Sequence, residues 1–306
     1  MIYTLTTNPA IDMNIMTDGL RPQVVNRTFG TVYTPNGKGL NVSYVLQHFG
    51  IPSAVLGFFG GFSGDYIVKE TKARGFEIHP VWVEEQTRIN IFLNDGTSEY
   101  KFVNAGSFVS REKQEEMLAI LKGARDMDYL SISGSLPPGI EPEYYEEILT
   151  LCREKETRVI LDVSSKKLRE LLEYRPYLIK PNDEEIADIF GIVMRDEADI
   201  LDALEFLHEK GAENILLTLG ERGAYFSDGK AVYYVSACPV RLLSSACAGD
   251  SALAAFLSIW LERPEDVETA LKRCAATGAN VAESNGIGDL EKVEAYMEKV
   301  CVRRVR

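Results

Sequence analysis

Cysteine and histidine are scarce in this sequence of 306 residues, and neither is arranged as a zinc site or a disulfide framework would require. The sequence contains Cys152, Cys238, Cys247, Cys274 and Cys301, together with His48, His79 and His208. None of them shows the paired short spacing that is typical of metal sites or of disulfide-stabilised domains. We therefore expect free thiols, no zinc site and a reducing compartment.

Long apolar runs are also lacking. No run approaches the roughly 20 residues of a membrane-spanning helix, and the sequence starting at Met1 has no charged region followed by an apolar core, as a signal peptide would. The net charge of −13 disfavours general attraction to nucleic acid or to an anionic membrane. We expect a cytoplasmic protein with neither kind of partner, in which a few local cations hold any anionic substrate.

The middle of the chain alternates strand and helix patterns. Strands are predicted at Tyr129–Ser133, Arg158–Val163, Tyr177–Lys180 and Asn214–Leu219, and helices near 111–124, 141–154, 182–190 and 196–210. This alternation predicts an α/β fold with a Rossmann-like, doubly wound and mostly parallel sheet that helices cover on both faces. An earlier helix is predicted at 39–49, and the tail from Ala248 onward is predicted to be mostly helical.

Two early segments, 12–36 and 87–106, do not follow that alternation. They carry strand patterns at Asp12–Thr17, Val24–Thr34, Ile89–Leu93 and Glu99–Val103, and Asn94-Asp95-Gly96 is a hairpin signal. We expect them to form a small, discontinuous β-sheet beside an α/β core formed by 1–11, 37–86 and 107–306. The small sheet is an insertion, because no Pro/Ser-rich linker separates it from the core.

The segment Ser244–Ser251 consists mostly of small residues and precedes the predicted C-terminal helices. Free N–H groups and the positive end of the dipole at a helix start favour a bound anion. Asp250 could accept a proton from an alcohol there, while the amides of Cys247, Ala248 and Gly249 stabilise a transferring phosphoryl group. The alternative is that Asp250 is an ordinary first-turn acid beside small packing residues.

The segment Asn36-Gly37-Lys38-Gly39-Leu40-Asn41 begins the earlier helix. Its glycines permit close approach of the backbone to a ligand. Lys38 and Asn41 share a helix face, so that Lys38 is placed to meet a phosphate and Asn41 a hydroxyl. An ordinary strand-to-helix turn with a solvated lysine explains the same segment equally well.

The segment Lys180-Pro181-Asn182-Asp183-Glu184-Glu185 follows a predicted strand. Asn182 and Glu185 have the spacing of a helix capping box, which explains them completely in structural terms. They could in addition hold water around Mg²⁺, whose ligands are oxygens and retained waters. The two roles are compatible.

Three loops are expected at one edge of the sheet, because ligands of open α/β sheets bind beyond the carboxyl ends of the strands. These loops are the one with Ser135, the turn at Lys180, and Thr218-Leu219-Gly220. The β segments add Asp12, which could bridge two sugar hydroxyls, and Arg88, which suits bidentate phosphate binding.

These motifs together resemble the ribokinase-like carbohydrate kinases of the PfkB family over nearly the whole chain. Asn36–Asn41 is similar to the family's N-terminal glycine-rich signature, and Ser245–Ser251 to its C-terminal signature. Thr6–Asp12, Thr87–Asn90, Ser133–Gly139 and Lys180–Asn182 are most similar to 1-phosphofructokinases and tagatose-6-phosphate kinases.

The resemblance implies a ribokinase-like core with a β lid that often forms a dimer interface, and it implies ATP and Mg²⁺ as cofactors. Asp250 is then the catalytic base, with Cys247, Ala248 and Gly249 beside it. The implied ligand contacts are Asp12, Gly37, Lys38, Asn41, Arg88, Asn90 and Ser135 for the sugar phosphate, with Lys38 and Arg88 on its phosphate; Lys180, Thr218, Gly220, Gly223 and Asn280 for the nucleotide; and Asn182 and Glu185 for Mg²⁺ through water.

The expected reaction is phosphorylation of a ketohexose phosphate, with fructose 1-phosphate to fructose 1,6-bisphosphate as the first hypothesis. Tagatose 6-phosphate is the alternative substrate. A hypothesis of another class is a catalytically weak sensor of sugar phosphate. The retention of Asp250, Lys38 and Asn182 argues against it, since a sensor needs no base.

The sequence departs from the family signatures at two positions. Asn36 replaces the first glycine of the N-terminal signature, and Cys247 replaces the glycine that opens Gly-Ala-Gly-Asp. If Cys247 adopts a left-handed conformation, it costs about 1–2 kcal/mol relative to glycine. We expect reduced turnover or an altered grip on the phosphate.

Overall fold

The computed structural model describes residues 1–244 and 246–306 of the chain. Ser245, which belongs to the C-terminal signature, lies outside the described residues. The strands are β1 (Ile2–Thr6), β2 (Ala10–Thr17), β3 (Thr28–Asn36), β4 (Ser53–Phe59), β5 (Glu77–Trp82), β6 (Arg88–Asn94), β7 (Glu99–Phe102), β8 (Tyr129–Ser133), β9 (Arg158–Asp162), β10 (Leu178–Ile179), β11 (Ile215–Thr218), β12 (Ala224–Ser227), β13 (Val232–Val235) and β14 (Val302–Arg304).

The helices follow the strands in the order that the alternation predicts. They are α1 (Lys38–His48), α2 (Gly61–Ala73), α3 (Arg111–Gly123), α4 (Tyr144–Glu154), α5 (Leu168–Leu171), α6 (Asp183–Phe190), α7 (Glu197–Lys210), α8 (Ala248–Trp260), α9 (Val267–Ala282) and α10 (Val293–Met297). Short 3₁₀ turns follow α5 and β11. The predicted helices near 39–49, 111–124, 141–154, 182–190 and 196–210 are all present.

A ten-stranded sheet forms the centre of the molecule, in the order β14-β13-β12-β11-β10-β9-β8-β1-β4-β5. The seven strands from β11 to β5 pair in parallel, which confirms the mostly parallel α/β fold. β12, β13 and β14 instead pair antiparallel at one edge. The sequence did not predict this edge, because antiparallel strands of three or four residues joined by tight turns carry little periodic signal.

Apolar clusters fill the space on both faces of the large sheet. α8 lies in one of them between α1 and α9, and its residues from Asp250 to Trp260 are all buried. Its small side chains at Ala252, Ala254 and Ala255 permit that close packing. The first turn of α8 is therefore held in a fixed position near the start of α1.

A separate four-stranded sheet has the order β3-β2-β6-β7. β2 and β6 pair in parallel, so that Asp12 lies opposite Asn90 and Ala10 opposite Arg88. This small sheet is formed by the two segments that do not follow the α/β alternation. Its β2 begins at Ala10, two residues before the expected boundary of the lid.

Three structural expectations were incomplete or wrong. The predicted strand Val24–Thr34 begins only at Thr28, because the side-chain amide of Asn26 folds back, accepting from the backbone N–H of Arg21 and donating to its carbonyl. The mostly helical tail also contributes β14 to the sheet edge. No element was predicted for 53–82, where β4 is buried at every position and therefore shows no alternation.

Within the described residues, no helix is both long and apolar enough to cross a lipid bilayer.

Candidate functional site

The carboxyl ends of the parallel strands lie along one edge of the large sheet, and the candidate residues follow them. β8 leads to Ser135, β10 to Lys180, and β11 ends at Thr218. Thr218 bridges to Asn182 beside it. The three loops that the sequence assigned to a common edge are thus on adjacent parts of one sheet.

The first turn of α8 holds Asp250 in a buried position facing α1. Its Oδ2 accepts a hydrogen bond of 2.9 Å from the Nδ2 of Asn41. Burial, followed by the negative charge of Asp162, raises the pKa of Asp250 to about 6, against the opposing effects of Lys38 and Asn41. A carboxylate with such a pKa can take up a proton near neutral pH, as a general base must.

Cys247 immediately precedes α8 and has a left-handed backbone with φ of 64°. Cys247 therefore does adopt the left-handed conformation considered from the sequence, which glycine adopts most readily. Its Sγ accepts a hydrogen bond of 3.4 Å from Asn41. Burial, with the charges of Asp250 and Asp12, raises the pKa of the thiol to about 12, so the thiol stays protonated beside the two carboxylates.

A continuous chain of hydrogen bonds joins Asp250 to the small sheet. Asn41 donates to Asp250 and to the Oδ1 of Asn36, at 2.9 Å each. Asn36 in turn donates to the Oδ2 of Asp12, and Asn90 donates to the Oδ1 of Asp12 at 2.9 Å. Asn36, which departs from the glycine of the N-terminal signature, thus links Asp12 of the small sheet to Asn41 of α1.

Asp12 is buried, and burial raises its pKa against the effects of its hydrogen bonds from Asn90 and Asn36 and of the Arg88 charge. Arg88 lies beside it, and its guanidinium donates to the backbone carbonyls of Asn8 and Asn104 at 2.9 Å each. Asp12, Asn90 and Arg88 are therefore brought together, as the sequence predicts.

Lys38 has a different set of neighbours. Its Nζ lies 3.4 Å from the Oδ1 of Asp162, and the Nζ of Lys180 lies 3.1 Å from the same atom. Burial acts to lower the pKa of Lys38, but the carboxylates of Asp162, Asp250 and Glu185 outweigh it and raise that pKa. The two cations that the resemblance places on one phosphate, Lys38 and Arg88, thus have separate partners.

Asp162 is a candidate functional residue that the sequence analysis missed. It is the last residue of β9, and its side chain is fully buried. The only signal was an acidic residue at the carboxyl end of an otherwise apolar strand, where ligands of such sheets bind.

The predicted contacts at Gly37 and Ser135 lie at the junction of the two sheets. Gly37 has φ of 153°, and a Cβ there would overlap Thr6. The carbonyl of Ser135 accepts a hydrogen bond of 2.8 Å from Thr7, and its Oγ lies 3.4 Å from the Nδ2 of Asn8. Both residues therefore fix the chain between β1 and β2.

The predicted nucleotide residues lie farther along the same edge and on α9. Gly220 and Gly223 both have positive φ, and a Cβ on Gly223 would overlap the carbonyl of Val235. Thr218 donates to the carbonyl of Pro181 at 3.4 Å. Asn280 is buried on α9, where its Oδ1 accepts from the backbone of Lys292 at 3.0 Å. Both polar groups of the Asn280 side chain thus already have partners within the protein.

Asn182 and Glu185 form the predicted capping box of α6. The side chain of Asn182 accepts from the backbone of Glu185 at 2.7 Å, and Glu185 accepts from the backbone of Asn182 at 3.0 Å. The other oxygen of Glu185 bonds to Ser164. The capping interpretation is confirmed.

A cavity of about 600 Å³ opens between the small sheet and the start of α8. Asp12, Asn36, Asn41 and Cys247 line its inner wall. A volume of this size is typical of small-molecule sites. Three members of the hydrogen-bonded chain, Asp12, Asn36 and Asn41, contribute to its lining, whereas Asp250 lies behind Asn41 and is not among the described lining residues.

Comparison with known proteins agrees with this architecture. The family model described as pfkB family carbohydrate kinase matches residues 5–293. A D-tagatose-1-phosphate kinase of Klebsiella oxytoca is 50% identical over 302 residues, covering 99% of both chains. A 1-phosphofructokinase of Bacillus subtilis is 31% identical and covers 100% of both.

Solved structures give the same result. The tetrameric inhibited form of phosphofructokinase-2 from Escherichia coli has a TM-score of 0.87 and 26% identity, and the match covers 97% of this chain and 99% of that one. The expected family and fold are confirmed, and so is the expected activity, that of an ATP-dependent sugar-phosphate kinase. The chain belongs to the pfkB family of carbohydrate kinases.

Proposed function

We propose that the protein transfers the terminal phosphoryl group of ATP to the 6-hydroxyl of a ketohexose 1-phosphate, giving a 1,6-bisphosphate and ADP. The observation that carries this proposal is the hydrogen-bonded chain from Asp250 through Asn41 and Asn36 to Asp12. It connects a buried carboxylate at a helix start to a polar site on the small sheet, and its members Asn41, Asn36 and Asp12 line the cavity.

Two sugars fit this proposal, and they differ only in configuration at C4. D-Tagatose 1-phosphate is favoured by the 50% identity to a kinase named for it. D-Fructose 1-phosphate, the first hypothesis from the sequence, is favoured by the Thr87–Asn90 run and by the 31% identity to a 1-phosphofructokinase. Tagatose 6-phosphate ranks below both, because neither relative is named for a 6-phosphate.

In the proposed mechanism Asp250 takes the proton of the sugar hydroxyl as the oxygen attacks the γ-phosphorus of ATP. Asn41 holds one oxygen of Asp250, which leaves the other for the alcohol. The backbone N–H groups at the start of α8 and the nearby ammonium groups offset the charge that develops on the phosphoryl oxygens. Asp12 and Asn90 orient the sugar hydroxyls, and Arg88 lies beside Asp12 as a cation for the existing phosphate.

The nucleotide residues Lys180, Thr218, Gly220, Gly223 and Asn280 remain part of the proposal. Positive φ at Gly220 and Gly223 supports a turn whose backbone a nucleotide can approach closely.

Mg²⁺ is proposed to accompany ATP near Asn182 and Glu185. Both side chains are already engaged in the cap of α6. They are therefore better suited to bind the water molecules that Mg²⁺ retains than to bind the ion directly. Within the described chain no group of three or more His, Cys, Asp or Glu side chains is arranged to hold a metal. When bound, the ion would neutralise charge on the phosphates, and Glu185 would orient its water.

The small sheet is proposed to act as a lid, formed by 12–36 and 87–106, and as the interface of a homodimer. Apolar side chains on it are about half exposed, among them Phe29, Val32 and Phe102. The relative from Escherichia coli was solved as a tetramer. We place the protein in the cytoplasm, where ATP and sugar phosphates are found and where free cysteines persist. Sedimentation of the wild type against Val32→Glu tests the interface, and a dimer in both would reject this surface.

A panel of sugar phosphates tests the proposed reaction. Steady-state release of ADP should be fastest with the two ketohexose 1-phosphates and much slower with tagatose 6-phosphate and fructose 6-phosphate. Binding of a sugar phosphate without turnover of any member would instead favour the sensor hypothesis.

A further inference from the structure

The fully buried carboxylate of Asp162 makes hydrogen bonds through only one of its two oxygens. Its Oδ1 receives both Lys38 and Lys180, at 3.4 and 3.1 Å. Its Oδ2 has no hydrogen-bond donor among residues 1–244 and 246–306. A buried carboxylate that leaves one oxygen unpaired is costly and calls for an explanation.

The two lysines differ in their access to the cleft. The side chain of Lys180 is only 5% exposed, and its Nζ lies 3.5 Å from the point where a Cβ on Gly249 would stand, beside the first turn of α8. The side chain of Lys38 is 35% exposed. Each ammonium group has three donors, so both have donors left after bonding to Asp162.

The carboxylates around Lys38 also identify the region that it serves. Asp162, Asp250 and Glu185 are the groups whose charge it feels, whereas Arg88 is influenced by Asp12. Lys38 therefore lies on the side of the base and of the proposed metal position. Arg88 lies on the side of the sugar.

A buried ammonium group without a counterion is costly. Before ATP binds, Asp162 supplies that counterion for both lysines. The terminal phosphate of ATP carries several oxygens that can accept from the same donors. The terminal phosphate can therefore replace Asp162 as the counterion of both lysines while their ammonium groups stay in place.

We infer that Asp162 is the resting counterion and positioning residue of Lys38 and Lys180, and that both lysines serve the phosphoryl group in transfer rather than the phosphate already on the sugar. This inference rests on the proposed function for the placement of ATP at the start of α8, and it does not depend on which sugar phosphate accepts the phosphoryl group. It concerns only the nucleotide side of the site.

The first test compares binding of ADP with binding of adenylyl imidodiphosphate, an ATP analogue that keeps a terminal phosphate and is not hydrolysed. Titration calorimetry on Lys38→Met should show about a tenfold weaker affinity for the analogue with the affinity for ADP unchanged, because only the analogue reaches Lys38. Affinity for ketohexose 1-phosphate should stay as in the wild type. Lys69→Met, an exposed lysine on α2, is the matched control.

The opposite result would overturn the inference. If Lys38→Met weakens sugar-phosphate binding and leaves the ratio of analogue to ADP affinity unchanged, Lys38 belongs to the sugar's phosphate.

The second test uses Asp162→Asn and has the opposite expected sign. With the shared anion removed, the analogue should bind about tenfold more tightly relative to ADP, because its terminal phosphate now relieves two uncompensated cations. Turnover should fall at the same time, because the ammonium groups are no longer gathered on one oxygen. Equal weakening of both nucleotides would mean that Asp162 has a structural role only.

These binding measurements do not depend on the sugar. If no ketohexose phosphate is turned over and the two variants still shift the ratio in opposite directions, the proposed substrate fails and the inference stands. If turnover occurs and the ratio does not move, the inference fails alone. If Asp162→Asn does not fold, the binding measurements on Lys38→Met decide the outcome, because Lys38 is the more exposed of the two lysines and its replacement should be tolerated.

Discussion

The two ends of the hydrogen-bonded chain are built from different kinds of side chain. Around Asp12 the polar groups are mostly amides, from Asn36 and Asn90, with Arg88 close by. Around Asp250, beside the one amide of Asn41, the neighbours are the ionised groups of Asp162, Lys38 and Lys180. Hydrogen bonds of fixed direction suit the recognition of hydroxyl configuration, whereas compensating charges suit a reaction in which charge moves.

This difference predicts which substitutions should affect sugar binding and which should affect catalysis. Changes at the amide end should alter affinity for the sugar. Changes at the charged end should alter turnover and its dependence on pH. The four predictions that follow test this separation.

The largest effect is expected for Asp250→Asn. Turnover should fall by about 10²–10⁴-fold, because the amide cannot accept the alcohol proton. Binding of the sugar phosphate, measured by calorimetry, should stay within a few-fold. The exposed acid Asp202 on α7 offers a control as Asp202→Asn. Substantial remaining activity would show that the base is elsewhere.

Asp12→Asn should have its main effect on the sugar. Loss of a charge-assisted hydrogen bond is worth about 1.5–3 kcal/mol, which predicts a rise of roughly ten- to a hundredfold in KM for the ketohexose phosphate. The KM for ATP should not change. A variant that raises both KM values equally would break the separation between the two ends.

The pH profile of kcat/KM should lose activity as the pH falls through about 6, the pKa of Asp250. The sign follows from the base being active only when deprotonated, so that activity is present above this pKa. The groups that set it are Asp162, which raises it, and Lys38, Asn41 and Lys180, which lower it. Asp12→Asn should leave this limb in place, since Asp12 is not among them. A displaced limb in that variant would contradict the comparison.

Cys247→Gly should have the smallest effect. Relief of the left-handed conformation should raise the free energy of unfolding by about 1 kcal/mol, which a thermal or urea transition would measure. Turnover should increase less than tenfold, since the thiol lies at the start of α8 where the phosphoryl group is proposed to pass. Asn41 also loses a sulfur acceptor in this variant. An unchanged catalytic rate would reject any influence of Cys247 on turnover.

Local patterns were sufficient to predict much of the fold. The alternation of strands and helices predicted the parallel sheet, and the spacing of Asn182 and Glu185 predicted the cap of α6. Both depend on residues close together in the sequence. β4 and the edge strands β12 to β14 were missed, because a fully buried strand and a very short one lack the periodicity on which such predictions depend.

The site was only partly predictable for the same reason. Asp250, Lys38 and Asn41 lie in short motifs, but the contact between Asn41 and Asp250 joins residues 209 apart in the sequence. Asp162 belongs to no motif, and its function depends on Lys38 and Lys180 being brought to it by two other elements. Asn36 was noted only as a departure from glycine, whereas its amide joins Asp12 to Asn41.

The two sheets are joined by very short connections. Only residues 7–9 separate β1 from β2, and Gly37 alone separates β3 from α1. A rotation of the small sheet would therefore be transmitted directly to the first turn of α1, which carries Lys38. If the small sheet closes over a sugar as proposed, the same movement would shift Lys38, so that occupation of the sugar site would be coupled mechanically to the position of this cation.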